Sequence, residues 1–167
     1  MLLDIKQYPD PILRKKANKV DIVDKEVRRL LDDMAETMYN APGIGLAAPQ
    51  IGKSIKVIVT DISPRDENGE LIKLINPVIV HAEGEEVMEE GCLSVPGFTE
   101  TVKRAQKIVV RGINEKGKEV EIVAEGLLAR GFQHEIDHIE GRLFVDRLST
   151  LKKAIFKRTI KKQLKEG

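Results

Sequence analysis

In the stretch FQHEIDHIEG, Phe132 to Gly141, two of the chain's three histidines stand four positions apart, with a glutamate directly after the first. On a helix, residues i and i+4 lie one above the other, so His134 and His138 project the same way. Two imidazoles so placed can share a tetrahedral metal ion at about 2 Å. Glu135 falls beside them, close enough to handle a proton of a water at the metal without being a ligand itself. The ordinary reading of each histidine is a surface residue or a hydrogen-bonded core residue; the His-Glu-x-x-His spacing favours metal. Gly131 lies on the same helical face. A glycine there costs about 1 kcal/mol relative to alanine, which predicts that something approaches the backbone closely.

A catalytic metal site uses three protein ligands and keeps one position open. Downstream of His138 there is no histidine, and the acids are Glu140, Asp146 and Glu166. Glu140 is too near the pair to fold back and Glu166 lies at the end of the sequence, which leaves Asp146 open. Upstream, Cys92 in MEEGCLSVP offers a thiolate, a strong ligand for Zn²⁺ or Fe²⁺. It follows Gly91, whose missing side chain permits an unusual backbone angle or a close approach. A free cysteine alone reads as a small buried apolar residue. Beside a histidine pair short of one ligand, it reads as the third.

A glycine-rich stretch, GIGLAAPQ from Gly43 to Gln50, fits the loose pattern of a dinucleotide-binding loop. That motif follows a strand and opens a helix. Here the order is reversed, so no nucleotide cofactor is expected. The stretch reads either as a plain turn or as a loop whose backbone pairs with an extended ligand, with Gln50 as an amide donor to an oxyanion.

These residues need elements to hold them. Asp10-Pro11 opens a short helix with Pro at its first position. Val27, Leu30, Leu31, Met34 and Met38 follow helical spacing from Asp24, a candidate N-cap, to Tyr39, and Pro42-Gly43 end the segment. The period then changes. Lys56 to Ile62, Leu71 to Ile75, Val78 to Glu83, Ala105 to Ile113 and Glu119 to Ala124 read as strands, with turns at Asn68-Gly69 and Lys116-Gly117. Helix returns from about Gly126 to Ile139, carrying the histidines. It returns again from about Thr150 to Leu164, with Leu151, Ile155, Ile160 and Leu164 near one face. Strands grouped between helices predict an α+β fold: antiparallel or mixed sheets packed around a central metal-binding helix, with helices at both ends.

A chain of 167 residues suits one domain with its own core, taken as residues 1–167. With 41% hydrophobic and 33% charged residues it belongs with folded soluble proteins, and a net charge of +1 gives no global pull toward nucleic acid or anionic lipid. No membrane span or signal peptide is legible, so no membrane partner is expected. The single cysteine forms no internal disulfide, and together these features favour the cytoplasm.

Taken together and in order, GIGLAAPQ, EEGCLS (Glu89 to Ser94) and QHEIDH (Gln133 to His138) strongly resemble the peptide deformylases over nearly the whole chain. The resemblance implies an enzyme that removes the N-formyl group from the initiator methionine of new proteins. It implies that Cys92, His134 and His138 bind the metal, typically Fe²⁺ in the cell, with Zn²⁺, Ni²⁺ or Co²⁺ also accepted. Glu135 would be the catalytic acid/base, with Gln50 and the backbone N–H of Leu93 stabilising the oxyanion. Gly43, Ile44, Gly45, Gly91 and Leu127 would bind substrate, Gly45 and Gly91 flanking its backbone and Ile44 and Leu127 forming apolar walls, with Met88 a weaker candidate. Two departures stand out: Ile139 where leucine is commonest, and Arg130-Gly131 where many relatives carry apolar residues near the methionine pocket.

The second shell of the histidines is not legible. Asp137 falls on another helical face, in solvent or in a salt bridge. Eight basic residues, from Arg147 to Lys165, decorate the last helix. A solvated face is the ordinary reading, and docking on ribosomal RNA is the sharper one. Two rivals keep the metal: a zinc endopeptidase using Asp146, and a structural site in a small RNA-binding module, which would need a fourth protein ligand.

Overall fold

The computed structural model describes residues 1–63 and 69–166. After a short 3-10 helix at Pro11–Arg14, in which the Asp10 side chain accepts from the N–H of Ile12, helix α1 spans Lys25–Asn40. The side chain of Asp24 caps it, accepting from the N–H of Val27 at 3.0 Å. Strand β1 (Gly45–Ala47), a 3-10 turn at Ala48–Ile51 and strand β2 (Val57–Thr60) follow. Next come β3 (Ile72–Glu83), β4 (Glu86–Cys92), β5 (Val95–Arg104), β6 (Lys107–Ile113) and β7 (Glu119–Glu125). Helix α2 covers Gly126–Ile139, a 3-10 turn Phe144–Arg147, and helix α3 Thr150–Glu166.

Five strands form one antiparallel sheet in the order β1-β2-β3-β6-β7, and β4 pairs with β5 as a separate hairpin. Every named pair is antiparallel; the one parallel contact among the described residues is an isolated bridge, Asn18 to Ile55. Side chains alternate across a strand, and in β2 that alternation sorts the core. Ile58, with Leu74 of β3 and Ala47 of β1, packs toward Phe132 and Ile136 of α2. Val57 and Val59, with Leu46 and Ile75, pack toward Leu31, Met34 and Met38 of α1. A helix covers each face, which is why β2 reads as an unbroken apolar run. A third cluster joins Val95, Phe98 and Val102 of β5 to Phe144 and to Phe156 and Ile160 of α3. Helix α2 therefore lies between the large sheet and the hairpin, with its histidines at the junction. No described helix is long and apolar enough to cross a membrane.

Several expectations need correction. Strand β3 runs unbroken through Asn76-Pro77, where two strands were expected. Asn76 takes φ 53 at a register shift, and its amide bonds both the N–H and the C=O of Val20. Strands β1, β4 and β5 were not expected. The turn at Lys116-Gly117 forms, with Gly117 at φ 81, while Asn68 of the Asn68-Gly69 turn lies outside the described residues. On α3 the docked residues are Phe156 and Ile160; Leu151, Ile155 and Leu164 are exposed. Arg147 precedes α3 and pairs with Asp137.

Candidate metal centre

Three donor atoms converge where α2 meets the hairpin. His134 and His138 bring their Nε2 atoms to 3.2 Å, and Cys92 Sγ lies 3.3 Å from His138 Nε2. The three donors all lie within 4.8 Å of one another. Tetrahedral bonds of about 2.0 Å to nitrogen and 2.3 Å to sulfur set ligand atoms roughly 3.3–3.6 Å apart, so the observed spacings suit one shared ion. The ring orientation agrees. His134 Nδ1 lies 2.9 Å from Glu90 Oε1. A carboxylate accepts, so Nδ1 carries the hydrogen and Nε2 turns a lone pair toward the other donors.

Lone pairs aimed at one another repel unless positive charge sits between them. The titration of the pair has the same cause. Burial pushes His138 well below its ordinary value, and the positive charges of His134 and Arg104 add to this. Burial acts the same way on His134, but the negative charges of Glu135, Cys92 and Glu90 outweigh it and hold that ring well above its ordinary value. The cluster favours one cation among its donors, and the donor set fits a divalent metal. Among the described residues no fourth His, Cys, Asp or Glu joins the group, which is the open arrangement of a catalytic site. Asp146, the rival third ligand, instead accepts from the N–H of Leu143 at 2.9 Å and from Arg14 at 2.5 Å.

The hairpin turn explains how Cys92 arrives. Cys92 pairs with Val95 after a register shift at the end of β4, so Leu93 and Ser94 form a tight loop facing the 3-10 turn that carries Gln50. Gln50 Oε1 accepts from the N–H of Ala47 at 2.9 Å, which fixes the amide's orientation. Its Nε2 therefore faces the donor cluster, donating to Ser94 Oγ at 3.0 Å and lying 3.5 Å from Cys92 Sγ.

A cleft of about 450 Å³ opens over these groups. Gly43, Ile44 and Gly45 line one side, Gly91, Cys92 and Leu93 another, and Leu127, Gly131 and Glu135 of α2 the floor. All of the expected substrate-binding residues except Met88 border it; Met88 is not among its lining residues. Strand β1 is the sheet's edge, bonded as a strand only to β2, so its outer side faces the cleft without a strand partner among the described residues. The close neighbour expected at Gly131 is absent: a Cβ there would meet only Thr60 Cγ2, at an ordinary 3.5 Å. The close approach is at Gly45, where a Cβ would stand 2.9 Å from the Glu135 carboxyl carbon.

Glu135 is buried, and its Oε1 has no hydrogen-bond partner among the described residues. Burial pushes its carboxyl up to about 7, with Glu90 and Asp137 adding and His134 and Arg104 opposing. A group titrating there can both take and return a proton near neutral pH. Because a side chain at position 45 would displace this carboxylate, Gly45→Ala is expected to keep its metal and lose turnover about a hundredfold, the scale of a 1 Å misplacement. Metal analysis alongside the turnover rate separates the two effects.

Sequence reasoning missed Glu90 behind the histidines, while one of the two roles expected of Asp137, a salt bridge, is the one observed. Glu90 is buried and accepts from His134 Nδ1 and, at 2.6 and 2.9 Å, from Arg104. Asp137, expected in solvent or a salt bridge, is buried and paired with Arg104 at 2.9 Å and with Arg147 through two contacts of 2.7 Å. One signal was available for Glu90: it stands two residues before Cys92, and alternate strand residues share a face.

The comparisons agree with this geometry. Residues 2–154 match the family model described as "Polypeptide deformylase". The chain is 58% identical over 166 residues to a peptide deformylase of Syntrophobacter fumaroxidans, covering 99% of this chain and 98% of that protein. It is 52% identical to one of Thermodesulfovibrio yellowstonii over 96% and 97% of the two chains. A crystal structure of a peptide deformylase from Legionella pneumophila superposes with a TM-score of 0.92 at 47% identity, over 99% of this chain and 96% of that one. One from Synechococcus elongatus in complex with actinonin gives 0.89 at 42% identity, over 96% and 87%. With that agreement running almost end to end, the chain belongs to the peptide deformylases, metal-dependent hydrolases that remove the N-formyl group from nascent proteins.

Proposed function

We propose that Cys92, His134 and His138 hold one divalent ion and that the other cleft residues carry out formyl hydrolysis around it, the whole chain acting as one catalytic domain. The observation that carries this reading is the convergence of three donor atoms at ligand spacing beside a buried, unpartnered carboxylate. Fe²⁺ is the ion favoured by the family resemblance, with Zn²⁺, Ni²⁺ and Co²⁺ as substitutes. When bound, the ion supplies a Lewis acid and brings the pKa of water toward neutrality. Glu135 takes the proton of the attacking water and returns it to the departing amine.

The formyl oxygen gains charge as the water attacks. Gln50 Nε2, held in place through Ala47, and the N–H of Leu93 donate to it. Losing one preorganised donor of this kind costs about 100- to 1,000-fold in rate, so Gln50→Ala is expected to lower kcat by that factor with the metal retained. The peptide lies extended between the free side of β1 at Gly43 and Gly45 and the hairpin at Gly91, with Ile44 and Leu127 against the methionine side chain. Glu135, Gln50 and Leu93 crowd the donor cluster from three sides. A formyl carbon, bearing only hydrogen, fits that space where an acetyl group does not.

A cysteine kept as a thiolate suits a reducing compartment, the cytoplasm, where formylmethionyl nascent chains are the substrate. The exposed basic residues of α3 give a surface for ribosomal RNA near those chains. If so, binding to ribosomes weakens steeply with salt and is lost when residues 150–167 are removed; binding insensitive to both contradicts it. The activity itself is tested by anaerobically purified protein and a formyl-Met peptide. Stoichiometric release of formate, with no cleavage of internal peptide bonds, is the expected result. Internal cleavage, or no formate from protein carrying its metal, overturns the reading.

A further inference from the structure

The three donor atoms come from two pieces of chain that share no strand pairing. Cys92 ends β4, while His134 and His138 sit on α2. Among the described residues the β4–β5 hairpin pairs with no other strand, and an isolated hairpin is marginal in stability. Strand β5 is anchored by Val95, Phe98 and Val102 in the C-terminal apolar cluster. Strand β4 touches that cluster only through the partly buried Cys92 at its end, and its fully inward residue is a charge, Glu90.

Two buried arginines bridge the gap from opposite sides. Arg104 of β5 pairs with Glu90 on its own hairpin and reaches Asp137 of α2 at 2.9 Å. Arg130 of α2 reaches back to both strands. Its guanidinium donates to the Glu90 carboxylate, to the Val102 carbonyl of β5 at 2.9 Å and to the Glu86 carbonyl of β4 at 2.8 Å. Arg130, His134 and His138 follow at intervals of four, so the bridge and both imidazoles occupy one face of the helix. Glu90 is shared: Oε1 accepts from His134 and from Arg104, and Oε2 accepts from Arg104 and from Arg130.

We propose that Arg130 is a positioning residue for the metal: it clamps the Cys92 hairpin to α2, so that sulfur and imidazoles already lie at ligand spacing when an ion arrives. This rests on the reading of Cys92, His134 and His138 as the ligands. The clamp acts on the ion's affinity and residence without touching the ion. A planar guanidinium spans a carboxylate and two carbonyls; an ammonium makes the ion pair but holds that fork poorly.

The test compares wild type, Arg130→Met and Arg130→Lys, using Co²⁺ as the probe. Chelator competition gives the Co²⁺ dissociation constant, and absorption reports the sulfur–cobalt bond. Hydrogen exchange on the metal-free proteins reports the hairpin. For Arg130→Met we expect roughly 10- to 100-fold weaker Co²⁺ binding, the range for lost outer-shell partners. Its sulfur–cobalt band at saturation should be unchanged, and faster exchange confined to residues 86–104. Arg130→Lys should fall between the two, and carries the test alone if the methionine variant is not recovered folded. Wild-type affinity in the variants, or exchange raised evenly along the whole chain, overturns the clamp. Wild-type protein that binds Co²⁺ with no sulfur band overturns the ligand reading instead.

Discussion

Replacing Glu135 with alanine is expected to leave a full equivalent of metal in the protein and to slow formate release by about 100- to 10,000-fold, the range for a lost general acid/base. The metal stays because the carboxylate is no part of the Cys92–His134–His138 group. The rate falls because the other buried carboxylates near the donors are engaged: Glu90 is held by Arg104 and His134, and Asp137 by Arg104 and Arg147. The fold should not suffer. Burial disfavours the charged form of Glu135, whose Oε1 makes no hydrogen bond among the described residues, so removing it relieves a desolvation cost. Metal analysis, kcat and a thermal melt on one preparation check all three statements. A variant that turns over at the wild-type rate would remove Glu135 from the reaction.

The second large effect is expected at Cys92. Cys92→Ser is nearly isosteric, and the hairpin turn that presents it, closed by the Cys92–Val95 pair, has no need of sulfur. The ligand, however, changes from a charged, soft thiolate to a neutral hydroxyl, a poor partner for Zn²⁺ or Fe²⁺. The loss in metal affinity should exceed the roughly 10- to 100-fold that a missing outer-shell partner costs, and activity should fall with it. Dialysis against a chelator followed by metal analysis is the check. Wild-type metal content and activity in this variant would overturn the assignment of Cys92.

How much of this was legible in the sequence depended on where apolar residues carry the pattern. Helices α1 and α2 were read nearly to their ends because Leu31, Met34 and Met38, and Phe132 with Ile136, mark their buried faces. The convergence of Cys92, His134 and His138 was legible because spacing on a helix is a geometric statement and few residues remained as partners for the pair. Strand β4 was invisible for the opposite reason: its buried position is Glu90, and a strand that turns a carboxylate inward shows no hydrophobic alternation. The same residue is the second shell that sequence alone did not find. Strand β1 is three residues long and begins on Gly45, so it reads as a loop. On α3, Leu151, Ile155 and Leu164 suggested a buried face, yet Phe156 docks the helix, stacking edge-on against Tyr8 and Phe98. Of the four aliphatics read as one face only Ile160 docks, beside Phe156, which spacing alone does not reveal.

The nature of the Arg130-Gly131 departure also became clear only in three dimensions. Read along the helix, a charge near the methionine pocket suggests a more polar pocket. In the fold, the guanidinium is buried and turned to Glu90, Val102 and Glu86. Gly131 lines the cleft, where a Cβ would make ordinary contact with Thr60.

The most direct measurement of the metal assignment is X-ray absorption at the zinc edge of Zn²⁺-loaded protein. One sulfur near 2.3 Å, two imidazole nitrogens at about 2.0–2.1 Å and a remaining light-atom scatterer are predicted. A spectrum without sulfur, or one closed by a fourth protein ligand, would contradict the site on which the proposed chemistry depends.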